Sequence, residues 1–191
     1  VNNREVIVRE LERNEIDLAI MGTPPQRIET VSVPFADHPL VVIAPPSHPR
    51  ARERAIPFEA LASERFLVRE QGSGTRSSME RFFGERGFAP KIDSVMNSNE
   101  TIKQAVMAGM GVAFISRHTI GLELATGRLC VLDVEGLPLM RRWYVVQRAG
   151  RFVRPATTAF VQFVVENAPA LLAHAAPADA SAVPAAAVRP T

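Results

Sequence analysis

Residue types that bind anions at the start of a helix are combined in one hexapeptide, QGSGTR, which ends at Arg76. Gly72 and Gly74 let the backbone approach a ligand closely, while Ser73 and Thr75 supply hydroxyl groups. Arg76 falls in the first helical turn, where the helix dipole favours anions over cations. A carboxylate or phosphate between the free backbone N–H groups and the Arg76 guanidinium would resolve that conflict. We therefore predict an anion site, at which Arg76→Ala weakens binding about tenfold or more, on the scale of about 1.5 to 3 kcal/mol.

A plain helix start explains the same loop, with Ser or Thr as the cap and glycine in a turn, and the residues alone leave both interpretations open. The dinucleotide fingerprint would need Gly or Ala at Ser77, and the phosphate loop of nucleotide hydrolases would need Gly-Lys-Ser/Thr. Neither is present, so nucleotide binding through these motifs is not expected. Gly109 and Gly111 form another Gly-x-Gly pattern, but it follows a predicted helix and is typical of a helix C-cap.

A second polar turn consists of Asn97, Ser98 and Asn99, just before a predicted helix. One helix cap would account for one of these side chains and not for three. The surplus favours a turn that faces a ligand, while a solvated turn is the other open interpretation.

Catalytic and metal chemistry find no support in the sequence. The four histidines are far apart, and none has a second ligand at helical spacing. No base, nucleophile and orienting group can be assembled, so we expect neither an enzyme nor a bound cofactor.

The single Cys130 cannot form an internal disulfide and is predicted to be a small buried hydrophobe in a strand, which fits a reducing cytoplasm. Residues 141–144 (RRWY) resemble a nucleic-acid surface, but such a tetrad is more typical of a strand with a solvated start and a buried end.

Composition sets the class of protein that must position these loops. The 191 residues are 47% apolar and 22% charged, with a net charge of +2, as is ordinary for a globular protein with a sizeable core. No apolar run approaches the roughly 20 residues that cross a bilayer. A charge of +2 is too small to indicate nucleic-acid binding without a clustered basic face.

Strands and helices alternate along the chain at short loop lengths, which predicts parallel βαβ units and an α/β fold. The predicted strands cover residues 16–20, 31–35, 40–44, 66–69, 92–96, 112–115, 129–132 and 142–146. The predicted helices cover residues 3–13, 57–62, 100–108 and 117–125, with one more ending at Gly87 and a last one starting at Pro155 that carries Phe160, Phe163 and Val164 on one face. In such a sheet, ligands bind at the carboxyl ends of the strands, where the loops around residues 21–25, 71–76 and 96–101 would lie. Residues 171–191 are rich in Ala and Pro and are predicted to be a disordered tail.

The order of four phrases resembles the effector-binding domains of LysR-type transcriptional regulators. The phrases are LxxxxIDLAI at residues 11–20, LVVIA at 40–44 followed by SHP at 47–49, GSGTR at 72–76 and VxAGxGVA at 106–113. The GSGTR loop and the turn NSNETIK at residues 97–103 are most similar to the CbbR subgroup, which regulates carbon-fixation operons of the Calvin cycle.

This resemblance implies a periplasmic-binding-protein-like fold of type 2, with two Rossmann-like lobes joined by two crossover strands. The first lobe would comprise residues 1–43 and 144–170, and the second residues 44–143. The crossovers would be residues 40–44 and 142–146. Family members begin this domain with a strand and a helix before the position of Val1, and begin the whole protein with a winged helix-turn-helix. We therefore expect segments before Val1, including one effector-contacting loop, and DNA binding only through that absent domain.

The implied function is to bind a small anionic metabolite between the lobes and so alter a homodimer or homotetramer. For a CbbR-like protein the resemblance suggests a phosphorylated sugar or acid, or NADPH, with no membrane partner. The expected effector contacts are Asn3, Thr23, Ser73, Gly74, Thr75, Arg76, Asn97, Ser98 and Asn99. A solute-binding receptor of a transport system, which has the same fold, is the alternative.

Overall fold

A computed structural model of the chain describes residues 2–175. In chain order its elements are α1 (Arg4–Glu12), β1 (Ala19–Met21), β2 (Thr30–Ala44), β3 (Arg65–Arg69), α2 (Gly74–Gly84), β4 (Lys91–Met96), α3 (Asn99–Met107), β5 (Val112–Ser116), α4 (Gly121–Ala125), β6 (Cys130–Leu132), β7 (Leu139–Arg148) and α5 (Pro155–Ala175). Two short 3₁₀ turns, Phe58–Leu61 and Arg117–Thr119, precede β3 and α4.

The strands form one sheet in the order β1-β7-β2-β5-β3-β4, and β6 also pairs with β2. The parallel pairing predicted from the alternation is correct for β3, which runs parallel to β4 and β5. It is wrong for the rest, since β2 is antiparallel to β5, β6 and β7, and β1 is antiparallel to β7. The reason is that β2 and β7 carry the chain in opposite directions between the two ends of the sheet.

The two long strands link one end of the sheet to the other. β2 has 15 residues and pairs with β7 from Thr30 opposite Arg148 to Leu40 opposite Leu139. The sequence predicted two separate strands here, at residues 31–35 and 40–44. They are continuous because β7 pairs along both, with a register shift between Pro34 and Ala36 that absorbs the irregularity.

The end of the sheet with β3, β4, β5 and β6 is covered on both faces, and we call it the α2/α3 half. Successive residues of β2 point to opposite faces there. Leu40 and Val42 pack with the α2 phenylalanines, whereas Val41 and Ile43 pack with α3 residues such as Ile102. Burial on both faces explains why residues 40–44 form an uninterrupted apolar run.

The other end, which we call the α1/α5 half, contains β1, the start of β2 and the end of β7. On one face, Val8 and Leu11 of α1 pack against Met21 and Val146. On the other face, Val164 of α5 belongs to a cluster with strand residues of β2 and β7. Each half therefore has helices on both faces, as in a Rossmann-like lobe.

Helix α5 begins at Pro155, as predicted, because proline fits the first helical position. Its aromatic residues do not share the buried face with Val164. Phe160 and Phe163 are 44% and 56% exposed, so the expectation of one common apolar face is wrong for them.

The same helix extends into the predicted tail. It continues to Ala175, so the expectation of disorder over residues 171–191 is wrong for residues 171–175. Leu172 packs against the α5 cluster four residues after Ala168, which prolongs the helical contact by one more turn. The remaining tail, residues 176–191, lies outside the described residues.

Candidate functional site

The N-terminus of α2 lies against the α1/α5 half. Ser73 is 2% exposed and caps α2, with its Oγ accepting the Arg76 N–H at 3.5 Å. The Glu5 N–H at the start of α1 donates to the Gly72 carbonyl at 3.2 Å. The backbone N–H groups of the first helical turn, those of Gly74 and Thr75 included, have no partner within a helix. This arrangement directs unpaired donors of α2 towards the boundary between the halves.

Four of the residues predicted to bind a ligand are brought together here: Asn3, Thr23, Ser73 and Gly74. Asn3 caps α1 through its Oδ1, which accepts the Val6 N–H at 3.1 Å, and its Nδ2 lies beside Gly72. The Thr23 carbonyl accepts a hydrogen bond of 3.3 Å from Nε of Arg4, whose side chain lies against Gly74. Residues from both halves therefore meet at the start of α2.

Arg76 is not the uncompensated cation that the sequence indicated. It is 8% exposed, its Nε donates to Glu80 Oε1 at 2.6 Å, and its Nη1 donates to the Arg69 carbonyl at 3.1 Å. The expectation that an anion must balance Arg76 is wrong, because Glu80 one turn further along the helix supplies the charge.

Arg141 of β7 takes the position that the sequence assigned to Arg76. Its Nη1 donates to the Gly74 carbonyl at 3.1 Å and also to Ser78 Oγ. A Cβ on Gly22 would overlap Arg141 Nη2, so glycine is required for the guanidinium to lie there. Burial lowers the pKa of Arg141 to about 10, and repulsion from Arg81 and Arg4 adds to the effect.

Arg4 is the second cation at this site. Burial lowers its pKa, with a smaller contribution from Arg27, and its side chain donates to the carbonyls of Thr23 and Pro24. Among the described residues, neither Arg4 nor Arg141 lies within ion-pair distance of a carboxylate, and their hydrogen bonds go to neutral oxygens. The site therefore has two half-buried positive charges with no carboxylate of residues 2–175 in direct contact, and the acidic residue that lines the cavity beside Arg141 is Asp37.

A cavity of about 370 Å³ opens beside Arg141. Its lining includes Gly22, Thr23, Asp37, Arg141 and Tyr144. Residues of β2, of β7 and of the loop after β1 thus surround a space next to the cationic site.

The predicted turn before α3 is arranged differently. Ser98 Oγ accepts the N–H groups of Glu100 and Thr101 at 3.1 and 3.4 Å, which is a complete helix cap. Asn99 Oδ1 accepts from Arg69 Nη1 at 2.7 Å, while Asn97 is exposed. Two of the three polar side chains therefore have partners within the protein.

The sequence contained a signal for Arg4, but none for Arg141. Arg4 lies in the first turn of α1, so the dipole argument made for Arg76 applies to it equally. The sequence pattern predicts that Arg141 belongs to the solvated start of a strand. That interpretation is wrong, since the side chain is partly buried between Gly22 and Ser78.

Within residues 2–175, no group of three or more His, Cys, Asp or Glu side chains could hold a metal ion, and no helix is long and apolar enough to cross a bilayer. Cys130 lies in β6 and is partly buried, with its thiol donating to the Ala44 carbonyl at 3.4 Å. Burial raises the pKa of this thiol, which keeps it protonated and unreactive.

A family model described as the LysR substrate binding domain matches residues 1–169. The chain belongs to this family. Structures similar to it include the regulatory domain of Synechocystis PCC6803 CcmR in complex with 2-PG, at 39% identity and a TM-score of 0.83, covering 87% of this chain and 82% of that one. The expected fold is confirmed: two Rossmann-like lobes of the type 2 periplasmic-binding-protein kind, joined by crossover strands.

Curated relatives of this LysR domain are transcriptional regulators and not enzymes. The chain is 52% identical over 168 residues to the RuBisCO operon transcriptional regulator of Allochromatium vinosum, covering 88% of this chain and 56% of the relative. It is 48% identical over 168 residues to the HTH-type transcriptional regulator CbbR of Sinorhizobium medicae (strain WSM419), covering 87% of this chain and 54% of the relative. The chain thus spans about half the length of these relatives.

Proposed function

We propose that this LysR domain is the effector-sensing part of a transcriptional regulator and binds a small anionic metabolite at the start of α2. The observation that carries the proposal is the pair Arg4 and Arg141, whose charges are balanced by no carboxylate among the described residues. The unpaired N–H groups of the α2 N-terminus face the same region and favour an anion there. Thr23, which lines the cavity of about 370 Å³, and Ser73 and Gly74 at the start of α2 complete the site.

The ligand class is a phosphorylated sugar or acid. A volume of about 370 Å³ is near the lower end of ligand pockets, which favours a small acid over a dinucleotide such as NADPH. The CcmR regulatory domain, 39% identical, is in complex with 2-PG, which supports a small ligand of this kind. Thr75 and the exposed Asn97 remain candidate contacts at the edge of the site, whereas Ser98 and Asn99 already have partners within the protein.

Binding acts on the arrangement of the lobes, which we assign to residues 1–43 with 144–170 and to residues 44–143. Arg141 and Arg4 both connect segments of the two halves, so an anion held between them stabilises the arrangement in which the halves are close. A ligand shifts such an equilibrium only by its difference in affinity for the two arrangements. In a cytoplasmic homodimer or homotetramer this shift would reposition DNA-binding domains outside the present chain, for genes of carbon fixation. A transport receptor is not favoured, because the curated relatives are regulators.

Titration calorimetry tests the ligand class on the chain extended at its N-terminus by the segment that the family resemblance predicts before Val1. We expect 2-PG and other phosphorylated acids to bind, and neutral sugars not to bind, because the site has uncompensated positive charge. Arg76→Ala should bind 2-PG within about twofold of the wild type, since Glu80 already pairs with that guanidinium and exposed or internally paired charges contribute little to a nearby site. Absence of binding by every acid tested, or turnover of one of them, would contradict the proposal.

A further inference from the structure

His38 of β2 is buried at the junction of the two long strands. It is 3% exposed, and its ring stacks on Trp143 of β7 with 3.7 Å between centroids and 13° between planes. Trp143 Nε1 in turn donates to His118 Nδ1 at 3.1 Å, which fixes the indole ring. His38 is therefore held rigidly by packing on an anchored tryptophan.

Neither ring nitrogen of His38 has a hydrogen-bond partner among the described residues. A neutral imidazole has one N–H donor and one acceptor, and leaving both buried without partners costs free energy that an apolar ring of similar shape would not cost. Most buried polar groups in folded proteins are paired, so an exception of this kind calls for a partner from outside the chain.

His38 is neutral in the folded protein. Burial lowers its pKa to about 3, and the charges of Arg141 and of His118 act in the same direction. Asp37, the adjacent residue on the same strand, raises the pKa of His118 and does not counter the lowering of the His38 pKa. Near pH 7 the ring can therefore donate one hydrogen bond without bringing a second cation beside Arg141.

One of the two unpartnered nitrogens, Nδ1 of His38, lies near the Arg141 guanidinium. A Cβ on Gly22 would be 2.7 Å from His38 Nδ1 and would overlap Arg141 Nη2, so both groups adjoin the same point beside Gly22. Gly22 and Arg141 also line the cavity of about 370 Å³. His38 does not itself line this cavity, but its Nδ1 adjoins Gly22 and the Arg141 guanidinium, which do.

We propose that His38 is a ligand-binding residue: one oxygen of the bound carboxylate or phosphate accepts from Arg141, and a second oxygen accepts from the neutral imidazole of His38. The inference rests on the proposed function and adds a residue that selects for the geometry of an oxyanion. Arg141 Nη2 occupies the space that glycine leaves at position 22, and this places the guanidinium beside His38.

Two substitutions at this position separate binding from packing. His38→Phe keeps the ring on Trp143 and removes both nitrogens, whereas His38→Asn retains a polar group near the position of Nδ1. By titration calorimetry with 2-PG, we expect His38→Phe to weaken binding about tenfold and His38→Asn to recover most of that loss. His48→Gln, which alters a histidine paired with Glu64 at 3.3 Å, is the matched control and should bind like the wild type.

Thermal unfolding supplies the readout that a purely structural role would not give. His38→Phe should raise the unfolding midpoint while it weakens binding, because it removes buried polar atoms without partners. The gain should grow as the pH falls from about 7 to about 5. The folded-state pKa of about 3 lies below the ordinary value of 6.5, so in this range the unfolded wild-type protein takes up a proton that the folded protein does not.

Each outcome decides between the two proposals. If the wild type binds 2-PG and His38→Phe binds it equally well, the proposed function stands and the role of His38 is overturned, leaving a buried histidine without a ligand contact. If His38→Phe loses stability and affinity together, His38 is a packing residue and the inference is again overturned. If the wild type binds neither 2-PG nor inorganic phosphate, the proposed function fails and the inference fails with it.

Discussion

The N-termini of α2 and α3 have similar sequences and different surroundings. Each follows a strand of the parallel part of the sheet and begins with a capping serine, Ser73 or Ser98. Ser73 is buried beneath residues of the other half, whereas the turn before α3 leaves Asn97 exposed. A helix start provides the same N–H groups in both cases. Whether it also belongs to a binding site depends on what the neighbouring half presents to it.

Charge compensation differs between these two helix starts in the same way. Arg69 near α3 pairs with Glu70 at 2.8 Å and also donates to Asn99. Arg141 and Arg4 near α2 donate to neutral oxygens, with no carboxylate within ion-pair distance among residues 2–175. Because a paired arginine gains little from an added anion, positive charge is available to a ligand at the start of α2 and not at the start of α3.

The largest difference should come from the two arginines. We expect Arg141→Gln to weaken 2-PG binding about 30-fold or more, equivalent to about 2 kcal/mol, since it removes a charge-assisted contact. Arg69→Gln should bind within about twofold of the wild type, because Arg69 is already paired. Calorimetric Kd values measure both. Equal losses in the two variants would remove the distinction between the two helix starts.

A substitution at Gly22 tests the same site without changing its charge. Gly22→Ala should weaken 2-PG binding about tenfold, because the new Cβ displaces the Arg141 guanidinium from its position. Gly84→Ala is the control, since a Cβ at that helical position meets nothing within 4 Å. It should leave Kd unchanged and stabilise the chain slightly. Binding by Gly22→Ala at wild-type affinity would show that the guanidinium need not lie against residue 22.

The smallest effect is expected from the two caps. Ser73→Ala and Ser98→Ala should each lower the free energy of unfolding by about 1 kcal/mol, as loss of a helix cap usually does. Only Ser73→Ala should also weaken 2-PG binding, by about threefold, because the first turn of α2 adjoins the ligand. Chemical denaturation and calorimetry on both variants give this comparison, and a matching loss of affinity in Ser98→Ala would place the α3 turn in the site as well.

Much of the local structure was predictable. The sequence predicts a helix from residue 3, a Ser or Thr cap in the GSGTR loop and one cap among residues 97–99, and the structure has Asn3, Ser73 and Ser98 as these caps. The loops at residues 21–25 and 71–76 were expected to lie at the ends of strands near a ligand, and they do meet. These predictions succeeded because capping and periodicity involve residues only a few positions apart.

The continuity of β2 and the roles of Arg76 and Arg141 were not predictable in this way. β2 is one strand because β7, about a hundred residues later, pairs along its length. The role of Arg76 depends on the direction of its side chain, which extends to Glu80 and not into the boundary between the halves. Its position relative to the helix dipole correctly indicates a cation that needs a negative partner. A bound anion and the Glu80 carboxylate both fit that requirement, and the structure has Glu80.

The sequence by itself determined the family, the α/β class and the helix starts from which an anion site could be built. Only the tertiary structure decided which of those starts adjoins a charge that the protein does not balance. Arg141 and Gly74 are 67 residues apart, and their contact exists only because β7 returns beside β2 and leads past the start of α2. Local patterns depend on short-range geometry, whereas the electrostatic balance of a buried charge depends on every group that folding brings within a few ångströms of it.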